Sequence, residues 1–90
     1  MHPMDAAIEA LERMYPDMEI EEDGYDPRPV CWIEHPNGTV WLELTWTVYY
    51  LVLATSRHTF ADYVGSPCSL DVALATVDYL LRSLDTCARR

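Results

Sequence analysis

Residues 40–55, VWLELTWTVYYLVLAT, hold no glycine, no proline and a single charge, Glu43. Val40, Leu42, Leu44, Trp46, Val48, Tyr50, Val52 and Ala54 share one parity and are apolar or aromatic throughout. Successive strand side chains point to opposite faces, so this parity must be turned from water along its whole length. The other parity opens with Trp41, Glu43, Thr45 and Thr47 and becomes apolar at Tyr49, Leu51 and Leu53. The stretch therefore reads as β-structure with one face wholly buried and the second buried only towards its end. It exceeds the roughly three to ten residues of an ordinary strand, so a bend or break is expected near residues 45–47.

The sequence on either side supplies pairing partners and covering layers. Residues 30–35 and 40–46 flank Pro36-Asn37-Gly38-Thr39, and Asn-Gly is a strong hairpin signal. A two-residue loop at Asn37-Gly38 sets Ile33 opposite Leu42 and Cys31 opposite Leu44 on the core side. Trp32 then faces Glu43, and Glu34 faces Trp41, on the other side. A slip of one residue would bury both glutamates. Residues 17–23 alternate acids with Met18 and Ile20, as an edge strand with an apolar inner face would. Their outer carboxylates, from Asp17, Glu19, Glu21 and Asp23, would then lie roughly 6.6 Å apart. Gly24, Pro27 and Pro29 mark a loop, and residues 58–64 a further strand closed by Gly65.

Two stretches have helical periodicity. Met4, Ile8, Leu11 and Tyr15, with Ala7 and Met14 alongside, form one apolar side of a helix over residues 4–15 that Pro16 ends. Leu70, Ala73, Leu74, Val77, Leu80, Leu81 and Leu84 form the stripe of a second helix. Ser66-Pro67 is expected as its N-cap and first position, which places Cys68 in its first turn, and residues 85–90 are expected to fray. The order α–β–β–β–(β)–α gives a single α+β domain over residues 1–90. It has two layers: an antiparallel meander of three to four strands, and an N-terminal and a C-terminal helix packed on one face. Leu42, Leu44 and Trp46 should be buried against Leu70, Leu74, Val77 and Leu81, with Ile8 and Leu11 nearby. The order of elements resembles that of double-stranded-RNA-binding domains in topology, but the basic loops and helix end that touch RNA in that family have no counterpart here.

Charge limits the partners. Residues 1–26 carry nine acids against Arg13, a net −8 of the chain's −9, while residues 27–90 hold six acids and five arginines, a net −1. Direct binding to nucleic acid needs a basic surface and is disfavoured. A basic protein partner is favoured, because one-signed patches steer complementary surfaces together. No apolar run exceeds seven residues, well short of the ~20 of a membrane span, and the N-terminus lacks a basic region before an apolar one. No membrane association and a cytoplasmic location are expected.

No motif specifies a reaction. Cys31, Cys68 and Cys87 are odd in number and lack CxxC spacing, so reduced, packed thiols are the default. Cys68 at a helix start is the best enzymatic candidate, with His35 or His58 as base, but no orienting third group is recognisable. EIEEDGYD lacks calcium-loop spacing, and His2, His35 and His58 lack zinc-ligand spacing, so neither metal nor cofactor is expected.

Binding features are richer. Trp32, Trp41, Glu34 and Glu43 are expected together on the hairpin's outer face, and tryptophan is enriched in interface hot spots. Asp17, Glu19, Glu21, Glu22, Asp23 and Asp26 form the acidic stretch. A short, strongly acidic chain without a catalytic motif, carrying DMEIEEDGYD, resembles small phage-encoded inhibitors, including anti-CRISPR proteins. That resemblance implies occlusion or mimicry of a DNA-binding surface. The leading expectation is a non-enzymatic protein that blocks a basic, nucleic-acid-binding protein surface with its acidic residues. The alternative is a small dimeric structural or adaptor module that binds through the hairpin tryptophans and an open sheet edge. A Cys-dependent enzyme is the remote third.

Overall fold

The apolar parity of residues 40–55 is folded back on itself. In a computed structural model that describes residues 2–24, 29–45, 49–56 and 63–87, the stretch forms two strands that pair antiparallel. These are β3 (Gly38–Leu44) and β4 (Tyr50–Ser56). Val40 faces Ala54, Leu42 faces Val52 and Leu44 faces Tyr50, and all six are buried. Because facing residues share a parity, one apolar alternation serves both strands. The expected break falls between them, where the Thr45 amide donates to Tyr49 O at 2.8 Å. Trp46 lies outside the described residues.

β1 (Ile20–Asp23) and β2 (Val30–His35) extend the sheet on one side and β5 (Tyr63–Val64) on the other, in the order β1-β2-β3-β4-β5. Every pairing is antiparallel, and the strand count of five is one more than the upper expectation. α1 (Pro3–Met14) and α2 (Leu70–Cys87) contribute Met4, Ala7 and Leu11, and Ala73, Val77, Leu80, Leu81 and Leu84, to one core with the inward parity of the sheet. That core includes Cys31, Ile33, Leu42 and Leu44, as the periodicities require. Leu70, Leu74 and Ile8 pack at its margin.

The hairpin register corrects the sequence expectation by two residues. His35 pairs with Gly38, so Pro36-Asn37 is the two-residue loop, and Ile33 faces Val40 rather than Leu42. Cys31 faces Leu42 rather than Leu44. An Asn37-Gly38 loop would make Pro36 and Thr39 its closing pair, and Pro36 has no N–H to donate to that pair. Gly38 is needed for space instead: a Cβ there would sit 2.0 Å from Thr55 O and 3.1 Å from Leu84 Cδ2. A shift of two preserves both faces, so the inward and outward sets survive the error.

Other boundaries also moved. α1 is capped by His2, whose Nδ1 accepts from the Met4 amide at 3.1 Å, and Met14 is exposed rather than packed. β1 starts at Ile20, so Asp17 and Glu19 precede the strand and the extended carboxylate row is shorter than expected. Of residues 58–64, the described strand is Tyr63–Val64 alone. From there the chain follows the edge of β4: Gly65 N donates to Val52 O, and Cys68 exchanges two backbone bonds with Tyr50. α2 therefore starts later than Ser66-Pro67 would set it. Ser69 O accepts from the Ala73 amide, and the helix continues through Cys87. Residues 85–87 are helical rather than frayed because Asp85 is held by His35 at 2.6 Å.

Leu42→Ala and Leu44→Ala should each cost about 2–5 kcal/mol in urea unfolding, since both are buried between sheet and helices. Gly38→Ala should cost about 1–3 kcal/mol by forcing β4 away. At Gly24, where a Cβ meets nothing within 4 Å, the same change should stay within about 0.5 kcal/mol.

Candidate partner-binding face

Both helices cover the inward parity, so the outward parity forms a second face. Its central row crosses four strands: Glu21 on β1 faces Trp32 on β2, which faces Trp41 on β3, which faces Leu53 on β4. Beside it runs Asp23, Val30, Glu43 and Leu51. The two tryptophans thus oppose each other directly, whereas the sequence expectation set each against a glutamate; the two-residue register shift is the reason. Each ring is half-buried. The Trp32 Nε1–H donates to Glu21 Oε2 at 2.7 Å, a charge-assisted bond that fixes the ring against the acidic edge strand. Glu34 faces Thr39, whose hydroxyl donates to Glu34 Oε2 at 3.1 Å.

The acidic stretch and the tryptophans, read as separate candidates in the sequence, therefore adjoin. Glu21 and Asp23 share the face of Trp32, Trp41, Glu34 and Glu43. Glu22 is exposed but falls on the inward parity opposite Cys31, at the rim of the core. Asp17 and Glu19 are exposed before the strand, and Asp26 lies outside the described residues. Among the described residues the cations are Arg13 and Arg82, and both pair within their own helices, with Glu9 and Asp78. The described part of the outward face is thus acidic and aromatic without a basic group.

A second polar cluster had no sequence signal. Asp78 accepts from the Tyr15 hydroxyl at 2.8 Å and pairs with Arg82 at 2.8 Å. Burial, reinforced by the Asp78 carboxylate, pushes the Tyr15 hydroxyl well above its ordinary pKa. His35, 8% exposed, accepts the Asn37 amide on Nδ1, so its Nε2 carries the proton donated to Asp85. Asn37 Nδ2 donates to Leu84 O. These groups line a cavity of about 440 Å³ between the end of α1, the β2–β3 turn and α2. Their hydrogen bonds clasp the turn to the helix. The i, i+4 spacing of Asp78 and Arg82 is visible in the sequence, but the Tyr15–Asp78 and His35–Asp85 contacts, 63 and 50 residues apart, are not.

Cys68 does not occupy a helix start. It lies in the segment bridged to Tyr50, half-buried, and desolvation raises its thiol pKa. Its Sγ–H donates to Tyr50 O at 3.4 Å. Both ring nitrogens of His35 are committed elsewhere, and His58 lies outside the described residues. Burial, with a smaller contribution from Glu22, pushes the buried Cys31 thiol up to about 12. Among the described residues, no three His, Cys, Asp or Glu side chains are grouped to hold a metal ion, and no helix is long and apolar enough to cross a membrane.

The raised Cys31 pKa makes stability depend on pH. The folded state binds the thiol proton more tightly than the unfolded chain, so the stabilisation is complete below pH 9 and is lost as pH rises towards 12. Unfolding free energy should fall by about 1.4 kcal/mol per pH unit in that window, and Cys31→Ala should remove this part of the slope. Native Cys31 and Cys68 should alkylate more slowly at neutral pH than the same thiols in urea, which mass spectrometry of labelled peptides would show.

The chain matches no family model, no curated protein and no solved structure.

Proposed function

We propose that this is a non-enzymatic interaction protein whose outward sheet face docks on a basic protein surface, of the kind that binds nucleic acid, and occludes it. The observation that carries the reading is the row Glu21–Trp32–Trp41, which joins the acidic edge to an aromatic pair on the face the helices leave uncovered. Each part has its own task. Carboxylates at Glu19, Glu21, Asp23 and Glu43 attract the basic surface and speed association, while the tryptophan rings supply apolar contact that slows release. The net charge of −9 adds a long-range field of the same sign. The direct Trp32–Trp41 opposition also favours a second reading, an adaptor held by apolar contact alone.

Charge reversals and salt separate the two. Glu19→Lys with Asp23→Lys raises the net charge by four, two per substitution, and leaves the Glu21 bond to Trp32 intact. Glu9→Lys with Glu12→Lys makes the same change on exposed positions of α1. Asp78 and Asp85 are unsuitable controls because they hold Tyr15, Arg82 and His35. In capture from an extract of the native cell at ~50 mM salt, the edge pair should lose about tenfold or more of the bound partner and the α1 pair much less. The loss should lie mainly in the association rate. Equal losses would mean that net charge alone acts. Capture that is indifferent to both pairs and to salt but abolished by Trp41→Ala would favour the adaptor.

A further inference from the structure

The solvent side of α2 is built differently from that of an ordinary surface helix. Ala73, Val77, Leu80, Leu81 and Leu84 face the sheet, which leaves Val72, Ala75, Thr76 and Tyr79 turned away from it. Val72 is 55% exposed and Tyr79 68%. With Tyr63 from β5 they line a groove of about 460 Å³ in which Asp71 is the one charged group among the described residues. The serine and threonine hydroxyls along this side are already satisfied by their own helix: Thr76 donates to Val72 O, Ser83 to Tyr79 O and Thr86 to Arg82 O. Such groups can leave water without losing a hydrogen bond.

We infer that this face of α2 is the interface of a homodimer, packed antiparallel against the same helix of a second copy. The pattern is self-complementary about a point between Ala75 and Thr76. A two-fold axis there sets Val72 opposite Tyr79 of the second copy, and Tyr79 opposite Val72, with the small residues at the closest approach. The same operation brings Asp71 near Arg82 of the second copy, whose Nε holds Asp78 of its own helix while the side chain is 79% exposed. Opposite charges therefore meet at both ends of the contact. A hydrophobic partner of other kind would have no need of this palindromic charge placement. The arrangement also limits repulsion between two chains of −9. β1 lies at the far edge of the sheet from β5, so the acidic edges stay apart, and both outward faces remain open on opposite sides of the dimer.

Sedimentation equilibrium of the full chain from about 1 to 500 μM tests this, with circular dichroism to confirm folding. Wild type should pass to twice the 10.4 kDa chain mass within that range. Ala75→Arg, at the closest approach, should raise the dimer dissociation constant at least tenfold with an unchanged spectrum, and Thr76→Arg should do the same if Ala75→Arg disturbs the helix. Asp71→Arg should weaken the dimer, and adding Arg82→Asp should restore part of the loss. A wild-type chain that stays at 10.4 kDa throughout overturns the proposal, as does a dimer that survives both arginine substitutions. A dimer broken by Trp41→Ala instead would place the contact on the outward sheet face, and the α2 interface would be wrong.

Discussion

One-sided burial governs this fold. A five-stranded antiparallel sheet with both helices on the same face must dehydrate one parity of its central strands β2, β3 and β4 and leave the other to whatever it meets. Cys31, Ile33, Val40, Leu42, Leu44, Tyr50, Val52 and Ala54 answer to that demand with hardly a polar atom among their side chains. The Tyr50 hydroxyl is the exception, and it donates to Pro3 O at 2.8 Å, at the start of α1. Close approach is the second condition. Gly38 lets β3 run against Thr55 and Leu84, and the clasp of His35, Asn37 and Asp85 locks the adjoining turn onto α2.

The same constraint produces the candidate binding face. Once the inward parity is committed to the core, the outward parity of β1, β2 and β3 gathers Glu21, Asp23, Trp32, Trp41, Glu34 and Glu43 with no further instruction. The bond from Trp32 to Glu21 then costs a partner little additional ordering, because the ring is already held. An acidic edge strand also discourages pairing with another sheet, which directs association to faces rather than edges. The apolar side of α2 and the acidic side of the sheet are thus separate surfaces on opposite layers.

Periodicity made the faces legible in the sequence and left the contacts between them illegible. The alternation of residues 40–54 and the stripe from Leu70 to Leu84 identify the core, and the acidic alternation identifies an edge. Registers and caps were less accessible, since each depends on a competing local effect. Pro36 overrides the Asn-Gly signal because it has no N–H for the closing pair of that turn, and backbone pairing with Tyr50 draws residues 66–68 away from the helix that Ser66-Pro67 would start. His2 caps α1 although histidine is not a favoured cap. The Tyr15–Asp78 and His35–Asp85 contacts join residues distant in the chain, and no spacing rule reaches them. Trp32 and Trp41 were correctly assigned to one face but not to each other, an error of register and not of face.

The central claim is that the acidic edge and the tryptophan pair act as one surface. The most direct measurement is an amide and indole nitrogen–proton NMR map of the labelled chain, recorded free and with the captured partner. The account predicts perturbations centred on Glu21, Asp23, Trp32, Trp41 and Glu43, with both the Trp32 and Trp41 indole signals displaced and the buried Leu11 and Val77 amides little changed. Perturbations centred on α1 or α2, with those two indole signals unmoved, would contradict it.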